Sequence, residues 1–171
     1  NLAWAEHLEQ AGVRTIHGVA GLKVHAKLLL VVRRRGVEPR RLSCLSTGNF
    51  NERTARTYTD HLLFTARPEL AREVHDLFRY MAGEVDPPTF RELLVAPFDL
   101  RARLEELLTG EEEAARRGEP ARAVLKLNSL QDPRMVDQLY TVSRAGGQVN
   151  LVVRGICCLV AGVPGLSANV H

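Results

Sequence analysis

The stretch from Ala123 to Val153, AVLKLNSLQDPRMVDQLYTVSRAGGQVNLVV, decides the fold. Ala123 to Leu127 reads as a strand and Pro133 to Ala145 as a helix, with Gly146 and Gly147 marking its end. Val149 to Val153 is a second strand, rich in β-branched residues. Strand, helix and strand joined by short connections imply a parallel pair with a right-handed crossover. The chain is therefore expected to be α/β.

N-terminal to that unit, Leu2, Ala5, Leu8 and Ala11 have helical spacing and Gly12 is a stop. Val13 to His17 is expected to be a short strand, followed by a loop bracketed by Gly18 and Gly21. Leu28 to Val32 is a continuous apolar run, as in a strand buried on both faces. The residues from Arg33 to Pro39 read as a turn and Arg41 to Leu45 as the returning strand. Thr47 to Asn51 is a polar loop, and Asp60 to Thr65 is another strand. Pro68 opens a helix in its first turn, running to about Met81. Gly83 to Pro88 is a linker, and a domain boundary is expected near residues 84 to 99. Leu100 to Arg117 is a charged helix with Leu100, Leu104, Leu107 and Leu108 on one face and Glu111 to Glu113 on its solvated side. Gly162 to Gly165 is loop.

A chain of 171 residues fits one ordinary domain or two small halves, and 45% apolar content suffices for a core. The net charge of +3 favours anionic partners only weakly. No run approaches the roughly 18 apolar residues of a membrane span, and no signal peptide is visible. The three cysteines, two of them adjacent at Cys157 and Cys158, form neither a disulfide framework nor a zinc pattern. They are expected to pack in the core of a cytoplasmic protein. A start at Asn1 without methionine, and an end at His171 after a Gly/Pro-rich loop, are expected of a piece of a longer protein.

The chemistry concentrates in Gly21-Leu22-Lys23-Val24-His25-Ala26-Lys27, which runs into the apolar strand. Side chains at i and i+2 of an extended chain share a face, so His25 and Lys27 are aimed at one spot. That suits an imidazole attacking phosphorus while an ammonium stabilises the transferring group. With six histidines and three lysines, chance supplies only about 0.1 such triplets. Twenty arginines outnumber those lysines, so lysine stands where a compact point charge is wanted. Lys23 and Lys27 flank His25; the third, Lys126, precedes Asn128 and Ser129 at a strand end.

Three further groups stand out. In Thr47-Gly48-Asn49-Phe50-Asn51, the glycine lets backbone approach an oxyanion and the amides of Asn49 and Asn51 can donate to it. Arg53 and Arg56 offer forks for phosphate, and Tyr58 offers a face for a nucleobase. Arg56 and Tyr58 share a face if the segment is extended. Arg154-Gly155 ends a strand, beyond whose carboxyl end ligands bind in open α/β sheets, and Lys126, Asn128 and Ser129 end its neighbour. His7, His17, His61 and His75 lack metal-ligand spacing.

Six runs together resemble bacterial polyphosphate kinase of the histidine-phosphorylated kind. They are the His25 run, Ser46 to Asn51, Thr54 to Asp60, Leu94 to Phe98, Lys126 to Leu130 and Val153 to Cys158, colinear along the whole chain. The resemblance implies reversible transfer of the terminal phosphoryl group of ATP to inorganic polyphosphate through a phosphohistidine, with ADP released. It matches His25 to the phosphorylated histidine, Tyr58 to a nucleotide-contacting tyrosine and Arg154 to a phosphate-contacting arginine. It implies parts of two phospholipase D-like domains, the latter half of the first over 1–92 and the opening half of the second over 93–171. Magnesium would accompany ATP; no carboxylate cage is evident near His25, and no metal ligand is assigned within the chain. The resemblance further implies homo-oligomers and peripheral association with the inner membrane surface, and nucleic acid is not an expected partner. Ser46 stands where the family usually has glycine, and Cys44 and Leu45 replace a commoner pair. With the second family histidine and the metal-contacting arginines outside it, this piece alone is expected to be inactive.

Two other classes compete. A phospholipase D-superfamily phosphodiesterase or nuclease shares His-x-Lys, but its motif has an aspartate five positions after the lysine, where this chain has Val32. A non-catalytic module binding polyanions electrostatically would show salt-dependent affinity indifferent to the chemistry of His25. The small charge and few aromatics argue against it.

Overall fold

Pro68 and Pro133 each stand in the first turn of a helix, where a missing N–H is harmless and a fixed φ fits. Around these two helices the chain divides into two units, one ending at Leu93 and one running from Leu94 to His171. The computed structural model describes residues 2–34, 36 and 39–171.

The first unit contains α1 (Leu2–Gln10), β1 (Leu28–Arg34), β2 (Pro39–Ser46), α2 (Glu52–Thr57), β3 (Leu62–Thr65) and α3 (Pro68–Met81). The strands form an antiparallel sheet in the order β1-β2-β3. Leu28 lies opposite Leu45, and Ser46 lies opposite Leu62. The start of β1, the end of β2 and the start of β3 thus meet at one end of the sheet. α3 packs on β1 and β2 and buries Ala71, Val74 and Leu77. Glu73 on the same helix is 4% exposed and accepts the N–H groups of Arg91 (2.8 Å), Glu92 (3.0 Å) and Leu93 (2.9 Å). Arg67 pairs with Glu92, and Phe90 is buried, so this segment is pinned to α3.

Two expectations are corrected in this unit, and the condition set on Arg56 and Tyr58 is not met. Val13 to His17 is not a strand. Gly12 takes φ +81° and the Val13 N–H returns to Leu8 O (2.9 Å), while Thr15 bonds Glu9 and Arg14 pairs with Glu84. Those bonds tie the segment to the helix end and leave it no strand partner. β1 is not buried on both faces: Leu29 is 48% and Val31 43% exposed, because β1 is an edge strand with one face uncovered among the described residues. Residues 53–57 are helical rather than extended. Asn51 supplies the reason, its Oδ1 capping the N–H groups of Arg53 (3.1 Å) and Thr54 (3.2 Å). The turn expected from Arg33 to Pro39 lies in part outside the described residues, at 35, 37 and 38.

The second unit contains α4 (Leu100–Arg116), β4 (Arg122–Leu127), α5 (Pro133–Ala145) and β5 (Gln148–Val153). β4 and β5 are parallel, from Arg122 opposite Gln148 to Leu127 opposite Val153. Asp132 caps α5 by accepting the Met135 N–H (3.0 Å), and Gly146 ends it at φ +105°. Leu139, Val142 and Val149 are fully buried in a core that includes Leu108, Leu130, Val136, Leu159 and Val170. Each such aliphatic side chain contributes about 1.5–3 kcal/mol on burial.

Here too the sequence expectations need correction. Of the four leucines on α4 only Leu108 is buried, and Leu104 and Leu107 face outward. The acidic run is not simply solvated, since Glu111 accepts the Arg122 N–H (2.7 Å) and Glu112 pairs with Arg116 (2.7 Å). Cys44 does pack in the core, but Cys157 and Cys158 are exposed where the chain leaves β5.

Candidate active site

Antiparallel pairing brings three polar segments to one end of the first unit's sheet. Lys27 precedes β1, and its carbonyl accepts the Ser46 N–H (2.9 Å) at the end of β2. The Lys27 ammonium lies 3.0 Å from His25 Nδ1 and 2.9 Å from Nε2, and donates to His25 O (2.7 Å). The charge is nearly equidistant from the two ring nitrogens, beside whichever carries the lone pair. His25 is exposed and Lys27 half-buried; Lys23 is exposed two residues upstream in the same irregular segment.

Ser46 starts the neighbouring loop and clips it: its hydroxyl donates to Gly48 O (2.8 Å) and accepts the Gly48 N–H (3.1 Å). The Thr47 hydroxyl donates to Asp60 Oδ1 (3.0 Å) and accepts the His61 N–H (3.0 Å), lashing the loop to the approach to β3. Between them lies a cleft of about 560 Å³. Asn49, Asn51, Tyr58, Asp60 and Phe50 line it. Tyr58 reaches it from the C-cap of α2. Arg56 is exposed on α2 and does not line the cleft. Sequence reasoning missed Phe50 and Asp60 as lining residues. Phe50 stood inside the quoted Gly-Asn run, and its apolar ring in a polar loop was the available signal.

In the second unit, parallel pairing puts the ends of β4 and β5 side by side. The Arg154 Nε donates to Asn128 Oδ1 (2.7 Å), and the Gly155 N–H donates to Asn128 O (2.9 Å). A Cβ on Gly155 would stand 2.7 Å from that carbonyl, so glycine is needed for the approach. Lys126 is exposed on β4, on the opposite face from the core residues Leu125 and Leu127. The result is an exposed guanidinium braced by an amide, suited to an oxyanion.

Residues 1–87 match the family described as polyphosphate kinase C-terminal domain 1, and residues 93–171 match polyphosphate kinase C-terminal domain 2. The chain belongs to the polyphosphate kinase family. The polyphosphate kinase of Pseudomonas aeruginosa is 44% identical over 171 residues, which is 100% of this chain and 25% of that protein. Polyphosphate kinase 1 of Chlorobaculum tepidum is 46% identical over 171 residues, 100% of this chain and 24% of that protein. The crystal structure of polyphosphate kinase from Porphyromonas gingivalis superimposes with a TM-score of 0.87 at 41% identity, covering 99% of this chain and 28% of that one. The chain thus spans about a quarter of the length of these polyphosphate kinases. Its mixed α/β architecture agrees with membership of the family. Among the described residues no helix is long and apolar enough to cross a membrane, and no group of three or more His, Cys, Asp or Glu is placed to hold a metal ion.

Proposed function

We propose that this chain is part of the catalytic region of a polyphosphate kinase, with His25 as the phosphorylated nucleophile. The observation that carries the reading is the Lys27 ammonium against both ring nitrogens of His25, at the sheet end that also bears the Asn49–Tyr58 cleft. A ring nitrogen attacks the terminal phosphorus of ATP; an N–P bond forms, the bond to the bridging oxygen breaks, and ADP leaves with the electron pair. A terminal oxygen of polyphosphate then attacks that phosphorus, forming P–O and returning the electron pair to the imidazole. Both steps run in reverse.

Lys27 swings from the ring to the transferring oxygens, where a positive charge lowers the barrier. Tyr58 gives the base a stacking face, while Asn49, Asn51, Lys23 and Arg56 are the donors available to phosphate on this unit. On the second unit, Arg154, held by Asn128, and Lys126 are candidate phosphate contacts in their own right. Magnesium enters as part of the nucleotide substrate; among the described residues no group of three or more His, Cys, Asp or Glu is placed to hold it. The unit limits at Leu93 and Leu94 support the division into two phospholipase D-like parts. Self-association and contact with the inner membrane surface belong to the same proposal, as properties of the longer enzyme in the cytoplasm.

The test uses the longer enzyme with ATP labelled in its terminal phosphate. Acid-labile, base-stable label on the His25 peptide, lost in His25→Ala, is the expected result. ADP formation without label would move His25 to a supporting role and revive the phosphodiesterase-like reading.

A further inference from the structure

Antiparallel register sets Arg33 directly opposite Arg40, with Arg34 opposite Pro39 and Val32 opposite Arg41. Arg33 and Arg40 therefore share one face of the β1–β2 ribbon, while Arg34 and Arg41 share the other. Directly opposed residues have Cβ atoms about 5 Å apart, and like charges so placed destabilise a hairpin. Among the described residues none of these four arginines has a carboxylate partner. Elsewhere Arg14, Arg67, Arg79, Arg101, Arg103, Arg116, Arg117 and Arg134 each pair with an acid, while other arginines without an acid partner among the described residues, such as Arg53, Arg72 and Arg144, do not stand opposite a second arginine in a strand register. The buried Nε of Arg41 also has no hydrogen-bond partner among the described residues. An anion bound on the Arg33–Arg40 face would relieve the like-charge pair and give those guanidinium forks the bidentate acceptor they fit.

We propose that Arg33 and Arg40, with Arg34 and Arg41 on the other face, form a distal binding site for the phosphate groups of a long polyphosphate chain. The inference rests on the polyphosphate kinase reading for the identity of the ligand. Five strand rises separate Leu28 from Arg33, about 17 Å, so the site cannot hold the phosphate being transferred at His25. It engages a remote stretch of the same polymer and keeps a growing product on the enzyme between additions. A flat membrane surface would engage only one face of the ribbon, the one bearing Arg33, Arg40 and the exposed Leu29 and Val31, and would leave Arg34 and Arg41 unused, whereas a chain can wrap both faces. No aromatic residue of β1 or β2 is present to stack a nucleobase, so phosphate is the recognised group.

The test compares the longer enzyme with its Arg33→Ala/Arg40→Ala and Arg33→Lys/Arg40→Lys variants. Arg103→Ala/Arg116→Ala serves as a control that removes equal charge from α4. Binding of end-labelled long polyphosphate is followed by anisotropy across a salt series. The alanine pair is expected to bind about tenfold more weakly, on the scale of two exposed charge contacts. Its salt slope should be shallower by about 1.4, near 0.7 per lost phosphate contact on a single strand. The lysine pair should fall between, keeping charge without the fork. Chains too short to bridge the sheet should bind both enzymes alike. Added long polyphosphate should raise the melting temperature of the unaltered enzyme more than that of the alanine pair, which reports folding as well.

Unchanged long-chain affinity in the alanine pair, or an equal loss in the α4 control, overturns the site. Duplex DNA binding with the same dependence on Arg33 and Arg40 overturns the choice of ligand. Failure of the unaltered enzyme to label at His25 would refute the kinase reading separately, whichever way the binding comparison falls.

Discussion

The carboxylate of Asp60 lies against the α-carbon of Gly48, so close that a Cβ there would stand 2.0 Å from Oδ2 and 2.2 Å from Cγ. Gly48→Ala must therefore expel the Asp60 side chain from its place and break its bond to the Thr47 hydroxyl. A cost of about 1–3 kcal/mol is expected, as for other overpacked sites. Adding Asp60→Ala removes the obstacle, so the double variant should lose less than the two single losses together. Thermal unfolding of the four proteins checks this; strict additivity would show that the loop accommodates the methyl by another route.

Lys27 tests the catalytic reading without touching the nucleophile. Removal of a single charge that stabilises a transferring group costs about 10²-fold in rate. Lys27→Ala should slow the appearance of label on His25 by that order, with nucleotide affinity changed far less. Lys27→Arg should recover little, since a planar fork does not fit where a compact ammonium sits 2.9–3.0 Å from both ring nitrogens. Rapid-quench labelling distinguishes these outcomes, and full-speed labelling of Lys27→Ala would remove the lysine from the mechanism.

A pH dependence follows from the cap of α5. Arg101 donates to both oxygens of Asp132 (2.7 and 2.8 Å), and together with the Met135 N–H it holds that carboxyl well below the usual carboxylate range. The folded value is depressed, so the stabilisation is fully present above the unfolded value of about 3.9 and drains as pH falls toward the folded one. Arg101→Gln should lower the melting temperature at neutral pH. The gap should then narrow steadily below about pH 4. The pair is surface-exposed, so the neutral-pH gap is small and should shrink in high salt. A gap that persisted unchanged into strong acid would trace the loss to the packing of the arginine stem.

Elements with covalent punctuation were legible in the sequence. Proline at the first turn placed the starts of α3 and α5, and alternation of strand and helix implied the parallel β4–β5 pair. The approach of His25 to Lys27 was legible from two-residue spacing. What could not be read depended on neighbours distant in the chain. An apolar run looks alike at an edge and in a sheet centre, so the exposure of Leu29 and Val31 gave no signal. Asn51 is at home in a turn or at a helix start, and only its bonds to Arg53 and Thr54 decide between them. The contact between Gly48 and Asp60 spans twelve residues and leaves no periodicity.

The buried Glu73 decides where this protein can be divided. Its carboxylate answers three consecutive amides, so Arg91, Glu92 and Leu93 belong structurally to the helix below them. A cut at Pro87-Pro88, where composition alone points, would strand a buried acceptor at a cost of about 1–3 kcal/mol or more. The seam instead falls after Leu93. Split enzymes, domain transplants and inserted reporters that respect it leave Glu73 with its three amide partners.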